Sequence, residues 1–148
     1  MEAIAVQALQ GLTFGTTLFL VAAGLSIIWG LMDILNFTHG TLYALGAYIG
    51  LVVFGLTGGN FWAALVAAAV IIAGVGAALE IVALRRLFGR DPLYYFLLTF
   101  GLTFVLTEII RFIWGDDFLG LPAPAALEGS VNLGITFPVY RLFVIAVS

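Results

Sequence analysis

The side chains able to do chemistry are concentrated in one stretch of an otherwise apolar chain: Asp33-Ile-Leu-Asn36-Phe-Thr38-His39-Gly40-Thr41-Leu-Tyr43-Ala-Leu-Gly46-Ala-Tyr48. On a continuous helix Asp33, Asn36, His39 or Gly40, Tyr43 and Gly46 step by three or four and share one face. Such a face offers neutral hydrogen bonding. At membrane depth it must turn toward a bundle interior or a wet cavity, because polar groups in hydrocarbon need partners. Two readings stay open for Asn36, Thr38, His39, Gly40 and Tyr43: lining a transport path, or locking two helices together. Gly40 is the expected place for the helix to bend or break. Asp33 is a second-rank candidate for the same path.

His39 is the only histidine and cysteine is absent. One imidazole without thiolates is a poor metal set, and a hydrogen bond to Asn36 is geometrically easier than a proton relay. No metal or catalytic residue is assigned. A second polar row, Thr99, Thr103 and Thr107, recurs every four residues, with Arg111 next in the series and Glu108 three before it. The hydroxyls are expected to bond back to carbonyls one turn earlier, Glu108 and Arg111 are spaced to pair, and the threonines are second-rank path candidates. No Ser/His/Asp arrangement is present. The phosphate-binding pattern G-x-x-x-x-G-K-[ST] needs a lysine that the chain lacks, so ATP, if used, binds another polypeptide.

The elements that must position these residues follow from composition. Of 148 residues, 64% are apolar and 9% charged, and the mean hydropathy is +1.22. A soluble domain has roughly 45–50% apolar and about 25% charged residues. A globule this small could not hide the surplus from water, which excludes a soluble enzyme. A net charge of −3 without a basic cluster excludes nucleic acid as a partner. Ala3–Met32 and Ile34–Leu79 carry no formal charge, 30 and 46 residues respectively. A bilayer core takes about 20 apolar residues as helix, so the first run holds one span and the second holds two.

The expected spans are 11–31, 34–57, 61–84 and 93–114. They are punctuated by the turn signal Gly58-Gly59-Asn60 and by Asp91-Pro92, where proline suits a first helical turn. The Pro/Gly-rich, acidic stretch 115–137, with Pro122, Pro124, Gly129 and Gly134, reads as an extramembrane loop. Residues 139–148 begin a fifth span too short to cross, so the chain reads as a fragment. Arg85, Arg86 and Arg90 share one short loop. Positive loops stay cytoplasmic, which places Arg85–Arg90 inside, Asp116–Glu128 outside and the N-terminus outside. Glu80 is expected to snorkel or pair near Arg85. Trp29, Trp62 and Trp114 fall near span ends, as an interfacial belt requires. The small residues Gly11, Gly15, Ala73, Gly74, Gly76 and Ala77 suit close helix packing in lipid.

The stretch Trp29–Tyr48, with its core Asn36-Phe37-Thr38-His39-Gly40 and second element Gly46-Ala47-Tyr48, resembles the N-terminal signature of permease subunits of branched-chain amino-acid ABC importers. Gly89-Arg-Asp-Pro-Leu-Tyr94 leading into Leu98-Thr-Phe-Gly-Leu102, and Pro138-Val-Tyr-Arg-Leu-Phe-Val-Ile145, resemble it too, so the likeness runs in order over nearly the whole chain. Thr38 departs from the family's usual alanine.

The resemblance implies an all-α polytopic transmembrane helix bundle, in which residues 1–148 are the N-terminal part of a single permease domain. It also implies a second permease subunit, two ATP-binding subunits and an extracytoplasmic solute-binding protein, in a bacterial or archaeal cytoplasmic membrane. No cofactor is expected on this chain, with ATP on the partner subunits. Hydrophobic amino acids are the implied cargo. A urea or short-amide importer of the same architecture and a non-transport membrane scaffold are the alternatives.

Overall fold

The computed structural model describes residues 2–116, 120, 123–124, 127–132 and 136–148. Asp117, Pro122 and Gly134 of the expected loop lie outside the described residues. Helices α1 (Glu2–Met32), α2 (Thr38–Leu56), α3 (Phe61–Val82) and α4 (Pro92–Trp114) follow one another, with a short 3₁₀ turn (Leu84–Leu87) between α3 and α4. The strands β1 (Ser130–Asn132) and β2 (Thr136–Pro138) and helix α5 (Val139–Val147) complete the order. Four helical segments are long and apolar enough to cross a membrane: Ile4–Met32, Thr38–Leu56, Phe61–Leu87 and Pro92–Trp114. The 19 residues of α2 rise about 28 Å at 1.5 Å per residue, close to the thickness of a hydrocarbon core.

The chain divides into two compact units, Met1–Gly24 with Pro122–Ser148, and Leu25–Leu121. In the first, β1 and β2 pair antiparallel with Val131 opposite Phe137, and Phe137 is buried. The sequence reads this region as loop, because three-residue strands are too short to show a period-two pattern. The Val139 N–H donates to the Gly129 carbonyl, 3.1 Å, where α5 begins.

In the second unit the helix boundaries are set by short polar side chains. Gly58 and Gly59 take positive φ, 65° and 91°, conformations open to glycine. Asn60 Oδ1 then accepts the Ala63 N–H at 3.1 Å and caps α3. Asp91 Oδ1 accepts the Leu93 N–H at 2.9 Å beside Pro92 at the first position of α4. At the end of α3 the chain tightens into the 3₁₀ turn and brings Arg85 onto Glu80. There Nε meets Oε1 and Nη2 meets Oε2, each at 3.2 Å.

Helix α2 packs on both α3 and α4. Thr38 meets Thr99 and, further along both helices, Tyr48 meets Trp114 at 5.2 Å between rings. Helices α2 and α4 therefore run in the same direction. The close approach of α2 to α3 is made at Gly46, where a Cβ would lie 3.3 Å from Ile72 Cγ1. A Cβ built on Gly11, Gly15, Gly74 or Gly76 meets nothing within 4 Å, so those small residues make no close contact within this chain.

In the second unit the buried residues are mixed: Thr38, Thr41 and Thr99 lie with Ile34, Ala64, Tyr95 and Ile110, whereas Val66, Val70, Phe104 and Phe112 are exposed. Lipid tails are as apolar as leucine, so burying leucine gives little drive for association there, and small residues with hydroxyls make the contacts. Gly46→Leu should overpack the α2–α3 contact and destabilise the fold by about 1–3 kcal/mol. Adding Ile72→Ala should recover part of the loss, read as the midpoint of thermal unfolding in detergent.

Candidate functional site

The break in the polar stretch lies at residues 33–37, between α1 and α2, and Gly40 sits inside α2. This corrects the expectation of a bend at Gly40, and the local chemistry explains the difference. The Asp33 N–H donates to the Trp29 carbonyl at 2.8 Å, and Asp33 then takes φ 53°. Asp and Asn visit that left-handed region more readily than most residues, and a residue in it ends a helix. Asn36 starts the next one. Its Oδ1 accepts the Thr38 N–H at 3.1 Å and its carbonyl accepts the His39 N–H at 3.2 Å. The single face expected to join Asp33 and Asn36 to Tyr43 and Gly46 is therefore divided, with Asp33 and Asn36 in the link and the others on α2.

The link is docked onto α4 by two threonines. Thr38 Oγ1 donates to the Thr99 carbonyl at 3.1 Å. Thr99 Oγ1 lies 2.9 Å from the Tyr95 carbonyl and 3.3 Å from the Leu35 carbonyl, so its one proton serves its own helix and the link together. Thr38 is 2% and Thr99 0% exposed. Thr103 and Thr107 bond back along α4, Oγ1 to the Thr99 and Thr103 carbonyls at 2.9 and 2.7 Å. Around this brace Phe37 meets Phe96 edge-on at 5.0 Å. Phe96 stacks on Phe100 at 5.8 Å, and Phe100 meets Phe104 at 5.0 Å. Aromatic pairs of this kind add about 0.5–1.5 kcal/mol beyond their area. Among the described residues no buried side-chain nitrogen or oxygen lacks a partner.

Two cavities flank the brace. One, of about 550 Å³, lies where the link meets the start of α4 and is lined by Asp33, Leu35, Arg90, Pro92 and Phe96 among others. The second, of about 360 Å³, lies between α2 and α4. Gly40, Thr41, Ala44 and Tyr48 line one wall, and Thr107, Ile110, Arg111, Gly115 and Asp116 the other. The structure thus brings Gly40 and Thr107 to one cavity, Thr38 and Thr99 to one hydrogen-bonded junction, and Asp33 to the other cavity. His39 is half-buried in the first turn of α2, and Tyr43 is exposed. Thr41, Ala44, Tyr48, Arg111 and Asp116 are wall residues beyond the sequence-predicted set. Their signal was present in the spacing: Gly40, Ala44 and Tyr48 step by four, as do Thr107 and Arg111.

Comparison with known proteins adds the following. The family described as "Branched-chain amino acid transport system / permease component" matches residues 7–148. The high-affinity branched-chain amino acid transport system permease protein BraD of Pseudomonas aeruginosa is 30% identical over 136 residues, 86% of this chain and 44% of the relative. Permease protein LivH of the corresponding system in Escherichia coli strain K12 is 28% identical over 127 residues, 79% of this chain and 41% of the relative. LivH of Salmonella typhimurium is 26% identical over the same length. The chain therefore spans less than half the length of these relatives. No solved structure gives a significant match.

The brace makes a direct prediction. Thr38→Val should lower the unfolding free energy of the full-length permease by about 0.6 kcal/mol, the average for interhelical hydrogen bonds in a membrane bundle, and by no more than about 1.7 kcal/mol. Thr38→Ser, which keeps the hydroxyl, should recover most of the loss in the same measurement. Asp33→Gly should be tolerated or stabilising, and Asp33→Val should cost about 1–2 kcal/mol, because β-branched residues resist positive φ.

Proposed function

The chain belongs to the family of permease components of branched-chain amino acid transport systems, and from that premise we propose that it forms part of the translocation path of an ATP-driven importer of branched-chain amino acids. It is a multi-pass membrane protein with four long apolar helices. The observation that carries the functional reading is the family match over residues 7–148. The cavity between α2 and α4 supports it, because its largely apolar wall also carries the hydroxyls of Thr41, Tyr48 and Thr107 and the charges of Arg111 and Asp116.

In this reading the complete permease pairs with a second permease subunit and two ATP-binding subunits, and receives its cargo from an extracytoplasmic solute-binding protein. It performs no catalysis itself, and ATP stays on the partner subunits. The membrane is the cytoplasmic membrane of a bacterium or archaeon. The positively charged Arg85–Arg90 loop faces the cytoplasm, and the acidic segment 116–128 faces outward.

Asn36, Thr38 and Thr99 hold the broken junction, while Gly40 and Thr107 line the path. His39 and Tyr43 lie on the same helix and are further path candidates, with Asp33 at the end nearer Arg90. Thr103 bonds back to the Thr99 carbonyl, the acceptor it shares with Thr38. A path of neutral hydroxyls with few fixed charges holds a solute weakly enough to release it at each step.

The test is uptake by cells or proteoliposomes carrying the complete importer with its full-length permease. Radiolabelled leucine should accumulate in an ATP-dependent, saturable way and be competed by isoleucine and valine, with urea having no effect. Accumulation of urea or a short amide in place of leucine would overturn the cargo assignment. ATP hydrolysis without movement of any solute would make the polar face a scaffold.

A further inference from the structure

The cavity between α2 and α4 has an unequal distribution of chemistry along its length. Away from the charged end, Gly40 and Ala44 leave space: a Cβ on Gly40 would meet nothing within 4 Å, so the glycine is not demanded by close packing. At the end of α4 remote from the Arg85–Arg90 loop, charge gathers. Arg111 Nε lies 3.2 Å from Asp116 Oδ1, and Arg111 Nη1 lies 3.2 Å from Glu108 Oε1.

Gly115 makes the first of these contacts possible. Its φ of 80° turns the chain out of α4, and its N–H donates to the Arg111 carbonyl at 2.8 Å. The next residue, Asp116, is thereby folded back onto the guanidinium one turn earlier. Arg111 and Asp116 both line the cavity, whereas Glu108 does not. Glu108 therefore holds the guanidinium from outside, and the cavity wall shows one cation and one anion side by side.

Resting on the importer reading above, we propose that this Arg111–Asp116 pair is a docking point for the zwitterionic head of an α-amino acid. The α-carboxylate bonds the guanidinium and the α-ammonium bonds the Asp116 carboxylate. The Arg111 side chain is 57% and the Asp116 side chain 85% exposed, so their mutual pair is solvated and worth little. A zwitterion entering between them exchanges one weak ion pair for two charge-assisted contacts at small cost. Arginine suits this role because its planar fork presents several donors to a carboxylate.

The rest of the wall fits the remainder of such a solute. Ala44, Ile110 and the ring of Tyr48 offer apolar surface for an aliphatic side chain, and Thr107 has its proton committed to the Thr103 carbonyl. The volume of about 360 Å³ is near the lower end for small-molecule sites. Urea can hydrogen-bond either residue, but it carries no charge of its own and forms no ion pair with them.

The experiment uses the complete importer with full-length permease variants, scored for leucine uptake and for co-purification of the solute-binding protein. Arg111→Gln and Asp116→Asn should each reduce leucine uptake about tenfold, the equivalent of one lost charge-assisted contact, while the binding protein is still captured. Arg111→Lys should restore part of the uptake. Gly40→Leu, which fills the cavity without touching either charge, should also reduce uptake.

Wild-type leucine uptake in Arg111→Gln would overturn the proposal and leave the importer reading standing. Loss of binding-protein capture in step with loss of uptake would overturn it as well, making the cluster a protein-docking surface. A wild-type complex that moves urea and not leucine would overturn the importer's cargo assignment, and the zwitterion site with it.

Discussion

The hydrogen bond from Thr38 to the Thr99 carbonyl, 3.1 Å long and closed to solvent, is the interaction on which the rest of the described bundle depends. A chain that leaves helical geometry frees backbone groups, and apolar surroundings cannot satisfy them. Here the exposed step is short, because Asn36 re-forms the helix at once and Thr38 and Thr99 tie the link to α4 from both sides. With the link fixed, α2 is aligned along α4, and the space between the two helices is held open instead of collapsing.

That arrangement explains why hydroxyls occupy the interior. A water-soluble helical core is built by hiding leucine and phenylalanine, yet here many of them, Phe104 and Phe112 included, are exposed, as apolar surroundings allow. Contacts inside must come from groups that lipid cannot replace: threonine oxygens, carbonyls, a glycine that admits Ile72, and aromatic edges such as Phe37 on Phe96. Each of these is small, and the junction at Thr99 gathers several on one turn of α4.

Much of the plan was legible from the linear pattern. Three spans follow from uncharged runs and the fourth from the apolar stretch after Asp91-Pro92; that pair and Gly58-Gly59-Asn60 mark ends whose cap bonds the structure contains. The Glu80–Arg85 and Glu108–Arg111 pairs follow from spacing, as do the back-bonded threonines of α4. The site was legible in part. The polar stretch was identified, but its break was assigned to the glycine, the usual helix breaker. The sequence cue for the true position was Asn36, a strong helix starter, preceded by an Asp able to accept positive φ. The cue was read as a polar face because the helical spacing of Asp33, Asn36 and Tyr43 is equally good.

Span number, length and local caps are determined by the sequence alone, because hydropathy and capping act between residues a few positions apart. Only the tertiary structure decided which of the polar groups meet. Thr38 and Thr99 are 61 residues apart, and Gly40 and Arg111 are further still, yet each pair shares a junction or a cavity wall. Helical periodicity shows which side of a helix a residue occupies. It cannot show which other helix that side faces, since every apolar exterior is equally at ease against lipid. The choice is made by the few polar atoms that lipid refuses, and these find one another only when the helices are assembled.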